Sequence, residues 1–534
     1  MSPDEVPEQA PQRGRIARNT AFFSFATGLS RIAGLVREAV VASYFGVSGA
    51  MSAFTIAFQI PNLVRALVGD MALQGAFVPV FTELLEKGER REAFRIASGL
   101  FFLIFLVLGA LTALFILLAP TIVPVFTPGF DDQPALEELT VHLAQILFPI
   151  VMLLALSGVI VGMLNSFEHF AVPAIAPAVW NIVIIAVLVG LVPAFPSEDE
   201  IYAYAIGVFA GTLVQLVLPM PWLRGRGGRF ELTLQWRNPV VWKVLKLMIP
   251  VTLALGLINF SLLINSLFGT LVSDAAPAAI DKAFRIYMLP QGLFSIAIAT
   301  VLFPTLSRLA ARRAHDDMRR TMANGVRQIC LLLIPSAVIM GVLAEPITRI
   351  VFQRGAFDAD ATDLVATAMV WWSVSLPFQG ASLLLSRTYF ALQRPWITTA
   401  LAGVNLVINA GVAAALYGPF GISGIVIGTV VGTVVMTLAQ AWFLRGDLHG
   451  VEGAKTLAAA AKMLAAAALL GAVSYGVWYG LDEWLGRQFV AQLVSVGIAI
   501  AAGGAIYAAA VWALRIEEAH QIRALVASRF GRRD

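Results

Sequence analysis

The sequence predicts an all-α polytopic membrane protein of about fourteen transmembrane helices: two parallel-repeat six-helix lobes around a central cavity, followed by two C-terminal helices. Three observations predict it. Hydrophobic residues make up 59% of the chain and charged residues 13%, and the mean hydropathy is +0.81, far from a soluble domain. Apolar segments long enough for a bilayer follow one another along the chain. Short sequence echoes recur at one offset.

The segments run 19–45, 52–85, 93–127, 136–166, 171–195, 200–222, 239–271, 277–310, 319–352, 360–392, 396–417, 421–444, 456–481 and 489–514. Several exceed a straight span, so tilts and kinks are expected. Residues 1–18 are polar, lack the apolar core and cleavage site of a signal peptide, and read as a cytoplasmic tail. Lys87/Arg90/Arg91/Arg95, Arg224/Arg226/Arg229/Arg237 and Arg308/Arg312/Arg313/Arg319/Arg320 fall on one side. By the positive-inside rule both termini are cytoplasmic. Acidic loops (Asp131/Asp132, Glu198/Asp199/Glu200, Asp358/Asp360/Asp363, Asp482/Glu483) lie opposite.

Ala57-Phe58-Gln59-Ile60 recurs as Ala283-Phe284-Arg285-Ile286, Val125-Phe126 as Val351-Phe352, and Asn181-Ile182-Val183-Ile184 as Asn405-Leu406-Val407-Ile408, all offset by 224–226 positions. That distance spans an even number of helices, so both copies share an orientation, and a substrate site is expected between them. The predicted organisation is a tail (1–18), an N-lobe (19–222), a basic linker (223–238), a C-lobe (239–444), helices 13–14 (456–514) and a cytoplasmic tail (515–534).

Arginines inside the spans point to the cargo. Arg31, Arg37, Arg65 and Arg285 occupy otherwise apolar segments, where each costs roughly 2.5–3.5 kcal/mol on insertion scales. Snorkelling to the headgroups explains any one of them. The group, drawn from corresponding helices of both copies, fits a watery cationic cavity, and guanidinium forks suit the oxygens of a diphosphate. Arg31 and Arg37 stand about 120° apart on an ideal helix, so a bend at Gly34 would help to turn both inward. Glu38 is placed to hold either guanidinium, and Asp281 sits one turn before Arg285.

Other chemistry is excluded. Cys330 stands alone and the five histidines show no metal-ligand spacing. The Gly-rich run Arg224–Arg229 lacks P-loop spacing, so no nucleotide cofactor is expected. The net charge of +4 is spread over many loops, which argues against nucleic acid. A transporter is expected, not an enzyme. An inside-negative potential favours outward movement of anionic cargo by about 2.3 kcal/mol per charge per 100 mV.

Ser30-Arg31-Ile32-Ala33-Gly34-Leu35-Val36-Arg37-Glu38 resembles the opening signature of the lipid II flippase MurJ (MviN) family. Ile60-Pro61-Asn62-Leu63-Val64-Arg65 and Gln74-Gly75-Ala76-Phe77-Val78-Pro79 resemble its second helix, and Phe170–Pro177, Phe352–Phe357 and Tyr389–Gln393 its later motifs. The resemblance implies a multidrug/oligosaccharidyl-lipid/polysaccharide exporter fold. It implies movement of lipid II, the undecaprenyl-diphosphate-linked peptidoglycan precursor, from the inner to the outer leaflet of a bacterial plasma membrane. It makes Arg31, Arg37, Arg65 and Arg285 headgroup ligands, with Ser30 and Glu38 secondary, and gives the last two helices a groove for the lipid tail. Membrane lipids and the cell-wall synthesis machinery are the implied partners.

Some members hold sodium with carboxylates; the matching positions here are Asn265, Asn405 and Asn409, all neutral, which speaks against sodium coupling. Further departures are Ser52, Ala66, Asp70-Met71-Ala72 and Met288. A flippase for another lipid-linked oligosaccharide and a drug exporter of the same superfamily remain as alternatives, the second disfavoured because cationic drugs call for acidic cavities.

Overall fold

The computed structural model describes residues 9–68, 70–226, 228, 230–231, 233, 239 and 260–519, and the side chains of 9–25, 27 and 65–76 fall outside that description. The described residues are helical throughout, joined by turns. They divide into two compact units, Met1–Asn259 and Phe260–Asp534. Most of the predicted seventh segment and of the linker 223–238 lies outside the described residues.

The first unit holds α1 (Gln9–Phe45), α2 (Gly49–Val68), α3 (Asp70–Glu86), α4 (Arg90–Ile122), α5 (Pro134–Leu147), α6 (Pro149–Ser166), α7 (Ala171–Leu191) and α8 (Ile201–Val217). The second holds α9 (Phe260–Thr270). There follow α10 (Ala276–Pro290), α11 (Ile296–Ala311), α12 (His315–Val342), α13 (Ala344–Phe352), α14 (Ala359–Ala391), α15 (Pro395–Asp447), α16 (Gly453–Leu485) and α17 (Phe489–Ala513). Ten described helical stretches are long and apolar enough to cross a membrane. Helix α15 counts once among them, yet its 53 residues would span about 80 Å at 1.5 Å per residue, far beyond one bilayer core. It bends at Gly421, whose φ of 55° and ψ of −135° suit only glycine, two residues after Pro419 removes a backbone donor. Its two arms are the predicted eleventh and twelfth spans. With α1, the α2–α3 pair and α9, each of the fourteen predicted segments has a helical counterpart.

One boundary moves. Helix α1 begins at Gln9, so the predicted tail is helical from there on; Ala, Gln and Arg are good helix formers whether or not lipid surrounds them. The eighth predicted segment contains a π-helical turn, Gln291–Ser295.

The repeat is legible in the packing inside each unit. Gly207 and Gly211 of α8 lie against Ile184 and Trp180 of α7, where an added Cβ would come within 3.1 Å of each backbone carbonyl oxygen. In the second unit Gly428 and Gly432 lie against Asn409 and Asn405, with an added Cβ at 2.8 and 3.0 Å from those carbonyls. Apolar lipid gives helices no hydrophobic reason to associate, so close approach over glycines four apart supplies the van der Waals contact. Elsewhere in the first unit Phe77, Phe81 and Phe94 are buried together, with Phe167 edge-on to Phe81 at 5.8 Å.

Helices α16 and α17 dock on α12 through Leu331, Ile334, Met463, Leu470 and Tyr507. Buried beside them, Arg327 of α12 bonds Glu518 through Nε and Glu452 through Nη1, the latter at 3.0 Å. Both acids flank the α16–α17 pair in the chain. Next to them Lys455 donates to Glu517 at 2.8 Å and holds that carboxyl below its ordinary range.

Candidate functional site

Helix α1 carries a buried ion pair. Arg37 and Glu38 are buried, at 7% and 5% exposure, and Arg37 Nη2 donates to Glu38 Oε1. The guanidinium carbon sits 4.8 Å from the centroid of the Trp180 ring. Trp180 is itself fixed, its indole Nε1 donating to Thr212 Oγ1 at 3.1 Å, and Thr212 donates to the Val208 carbonyl at 2.8 Å. The sequence places Trp180 and Thr212 on adjacent helices, and Gly211 lets those helices approach. An arginine in an apolar span is met here by one carboxylate and one aromatic face. Its Nε is buried and has no hydrogen-bond partner among the described residues.

Arg31 lies on the other side of the helix. It is exposed, as are Ile32, Leu35 and Val36, and Ser30 is half-buried. The 120° separation is thus preserved, and no bend at Gly34 brings Arg31 beside Arg37. Glu38 pairs with Arg37. Gly34 faces the amide of Asn181 at ordinary contact distance. Arg65 lies on α2, but its side chain is outside the described residues, as are those of Ala66, Asp70, Met71 and Ala72. Ser52 is fully buried.

In the second unit Arg285 donates from Nε to Asp281 Oδ2 at 2.7 Å, one helical turn away. Its side chain stays 32% exposed. The opposite face of α10 is clamped to α14 by Phe284, Tyr287 and Trp372, with ring centroids 5.0–5.8 Å apart. This clamp sets the rotation of α10, so Arg285 shares its outer face with the exposed Met288 and Leu289. Sequence reasoning passed over Lys282, one turn from Arg285. It is fully buried, with Nζ 5.6 Å from the Phe352 ring centroid. The signal was present: a lysine in a span is as expensive as an arginine.

Two of the three asparagines meet. Asn265 and Asn409 are fully buried, and Asn409 Nδ2 donates to Asn265 Oδ1 at 3.1 Å and to Ser261 Oγ at 2.8 Å. Asn265 Nδ2 donates to Thr429 Oγ1 at 2.9 Å. Amide and hydroxyl groups satisfy one another there without a formal charge. Asn405, one turn earlier, stays apart: its Nδ2 faces the Met436 sulfur at 3.4 Å. Its Oδ1 has no partner among the described residues, as is true of its repeat mate Asn181.

The family model described as lipid II flippase MurJ matches residues 41–496. The chain is 32% identical over 400 residues to a probable lipid II flippase MurJ of Rhizobium meliloti, covering 74% of each chain. It is 29% identical over 521 residues to one from Haemophilus influenzae, covering 92% of this chain and 99% of that one. Among solved structures it superposes on a lipid II flippase MurJ in an inward closed conformation with a TM-score of 0.74, 22% identity and 92% of this chain covered (99% of that one). An inward-facing multidrug resistance MATE family transporter of the MOP superfamily gives 0.63 at 13% identity, over 81% of this chain and 95% of the other. The fold is that of these multi-pass membrane transporters, and the chain belongs to the lipid II flippase MurJ family.

Proposed function

We propose that this protein moves lipid II from the inner to the outer leaflet of the bacterial plasma membrane by alternating access, and that its intramembrane arginines bind the diphosphate. The observation that carries the reading is Arg37, whose buried guanidinium is held by Glu38 and Trp180 yet retains an unpartnered Nε. Membership of the family supplies the cargo class. A phosphate oxygen arriving at Arg37 would take the unpartnered Nε in a charge-assisted bond while Nη2 keeps Glu38, so binding adds a partner without uncovering a bare charge. Arg285 takes the same part in the second repeat, with Asp281 as its resting partner. Arg31 and Arg65 add positive charge from the first and second helices, and Ser30 lies beside the first. The expected lobes 19–222 and 239–444 each contribute arginines, and 456–514 receives the lipid tail.

Both termini are cytoplasmic in this reading, and the membrane potential drives the cycle. It favours export of the anionic cargo and return of the emptied cationic protein by about 2.3 kcal/mol per charge per 100 mV across the full field. The neutral Asn265–Asn409–Thr429 network supports a cycle without sodium. Cell-wall synthesis enzymes that consume lipid II at the outer face are the proposed partners.

The test is lipid II translocation in cells in which this chain is the only flippase, comparing wild type with Arg37→Ala and Arg285→Ala. Loss of outer-leaflet lipid II in both, at normal protein levels, is expected. Undiminished translocation would remove the arginines from the mechanism. No translocation by the wild type would shift the cargo to another lipid-linked glycan.

A further inference from the structure

One end of the second unit holds a cavity that the flippase reading does not use. It lies where α13 ends, α14 begins and the α16–α17 turn passes, and its volume is about 390 Å³. Arg349, Arg354 and Arg487 line it together with Glu345 and Asp363, and Asp482 pairs with Arg487 at 3.1 Å from beneath. Three guanidinium groups thus meet three carboxylates, and the site is charge-balanced. A binding place for a simple anion would carry surplus positive charge; a balanced site with both signs accessible suits a zwitterion.

The roles of these groups differ. Arg349 is spent internally: it bonds Glu345, Gln353 at 3.3 Å and Gln492 at 3.4 Å, and comes within 3.9 Å of Asp482. Arg354 caps the end of α13 by donating to the Ile350 and Val351 carbonyls at 2.7 and 3.3 Å, and it lies 4.4 Å over the Phe489 ring. Arg487 gives only its Nε to Asp482 and is 69% exposed, so its terminal nitrogens are open to a ligand. Asp363, on α14, is exposed and has no ion pair among the described residues.

The cavity is continuous with an exposed apolar surface. Phe489 lines it and also begins α17, where Phe489, Val490 and Leu493 are exposed at 52%, 67% and 53%. Trp484, four-fifths exposed, stands at the adjoining end of α16, as aromatic residues do at the level of the headgroups. A molecule with its polar part in the cavity would have its apolar part against this ridge.

We propose that the cavity is a binding site for an aminophospholipid, with the phosphodiester on Arg487, the primary ammonium on Asp363 and an acyl chain along the Phe489–Leu493 ridge. The site shares the 456–514 stretch with the proposed groove for the lipid II tail but none of the arginines proposed to bind the diphosphate, so loss of headgroup binding at one leaves the other testable. It would tie the α16–α17 hairpin to one class of bilayer lipid.

The experiment is native mass spectrometry of the purified full chain after incubation with equal amounts of phosphatidylethanolamine, phosphatidylcholine and phosphatidylglycerol. One phosphatidylethanolamine is expected to be retained several-fold over the other two. Asp363→Asn is expected to abolish the preference over phosphatidylglycerol, and Arg487→Gln to lower retention of phosphatidylethanolamine several-fold. Both side chains are solvent-facing, and unchanged melting temperatures would show that the variants fold. Glycerophosphoethanolamine, which lacks acyl chains, is expected not to displace the lipid; displacement would overturn the part given to the ridge. Equal retention of the three lipids by the wild type, or retention untouched by both substitutions, would overturn the site.

Discussion

The Arg37 guanidinium rests 4.8 Å from the centre of the Trp180 ring, and Trp180 is pinned in turn by Thr212. The aromatic face thus aims a charged side chain contributed by a different helix. A buried cation over an aromatic ring gains about 1–2 kcal/mol. Trp180→Ala is therefore expected to weaken lipid II binding roughly five- to thirtyfold, while Trp180→Phe keeps most of it. Binding of lipid II to the purified variants measures this, and equal affinity in Trp180→Ala would show that the ring is only packing.

Arg285 and Asp281 form a partly exposed pair within one helix. Such a pair contributes about 0–1 kcal/mol to stability, so Asp281→Asn should leave the melting temperature almost unchanged. If the carboxylate is the resting partner of a ligand-binding arginine, the same variant should bind lipid II at least as tightly as wild type. Arg285→Lys keeps the charge but loses the fork, and weaker binding is expected.

The glycine contacts predict a stability effect that separates two similar positions. An added Cβ at Gly432 would stand 2.4 Å from Asn405 Oδ1, whereas one at Gly190 meets nothing within 4 Å. Gly432→Ala is expected to cost about 1–3 kcal/mol by overpacking, and Gly190→Ala to be neutral or slightly stabilising. Thermal melts of the two variants in one detergent provide the comparison.

Asn265 and Asn409 satisfy each other and Ser261 and Thr429. Replacing sodium by potassium is expected to leave wild-type translocation unchanged. Asn409→Asp puts a carboxylate into a buried, neutral network, and its folding should become dependent on a cation or on low pH. Sodium-dependent transport by the wild type would contradict this.

The Arg327 cluster is expected to be the most sensitive point in the second unit. Removing Arg327 leaves Glu518, which is 2% exposed, with its charge uncompensated. Breaking such a pair costs about 3–5 kcal/mol. Arg327→Met should lower the melting temperature sharply, and the further change Glu518→Leu should recover much of it.

The sequence by itself determined the all-helical membrane fold class, the succession of apolar helices and the charged residues set among them. These follow from one-dimensional quantities: apolar length and the positions of charges within it. The family was legible for the same reason, since its motifs are contiguous. The tertiary structure decided which charges are held and by what. Arg31 and Arg37 read alike in the sequence, yet one is exposed and the other is buried against Trp180, because the packing of α1 on α7 selects a single face of the helix. Trp180 and Thr212 had no local signature of a role; their meeting depends on Gly211 admitting close approach. Lys282, Glu518 and Arg349 were visible as charges, but their partners come from segments as many as 191 residues away. Pairing across such distances is set by how helices pack, and no periodicity along the chain records it.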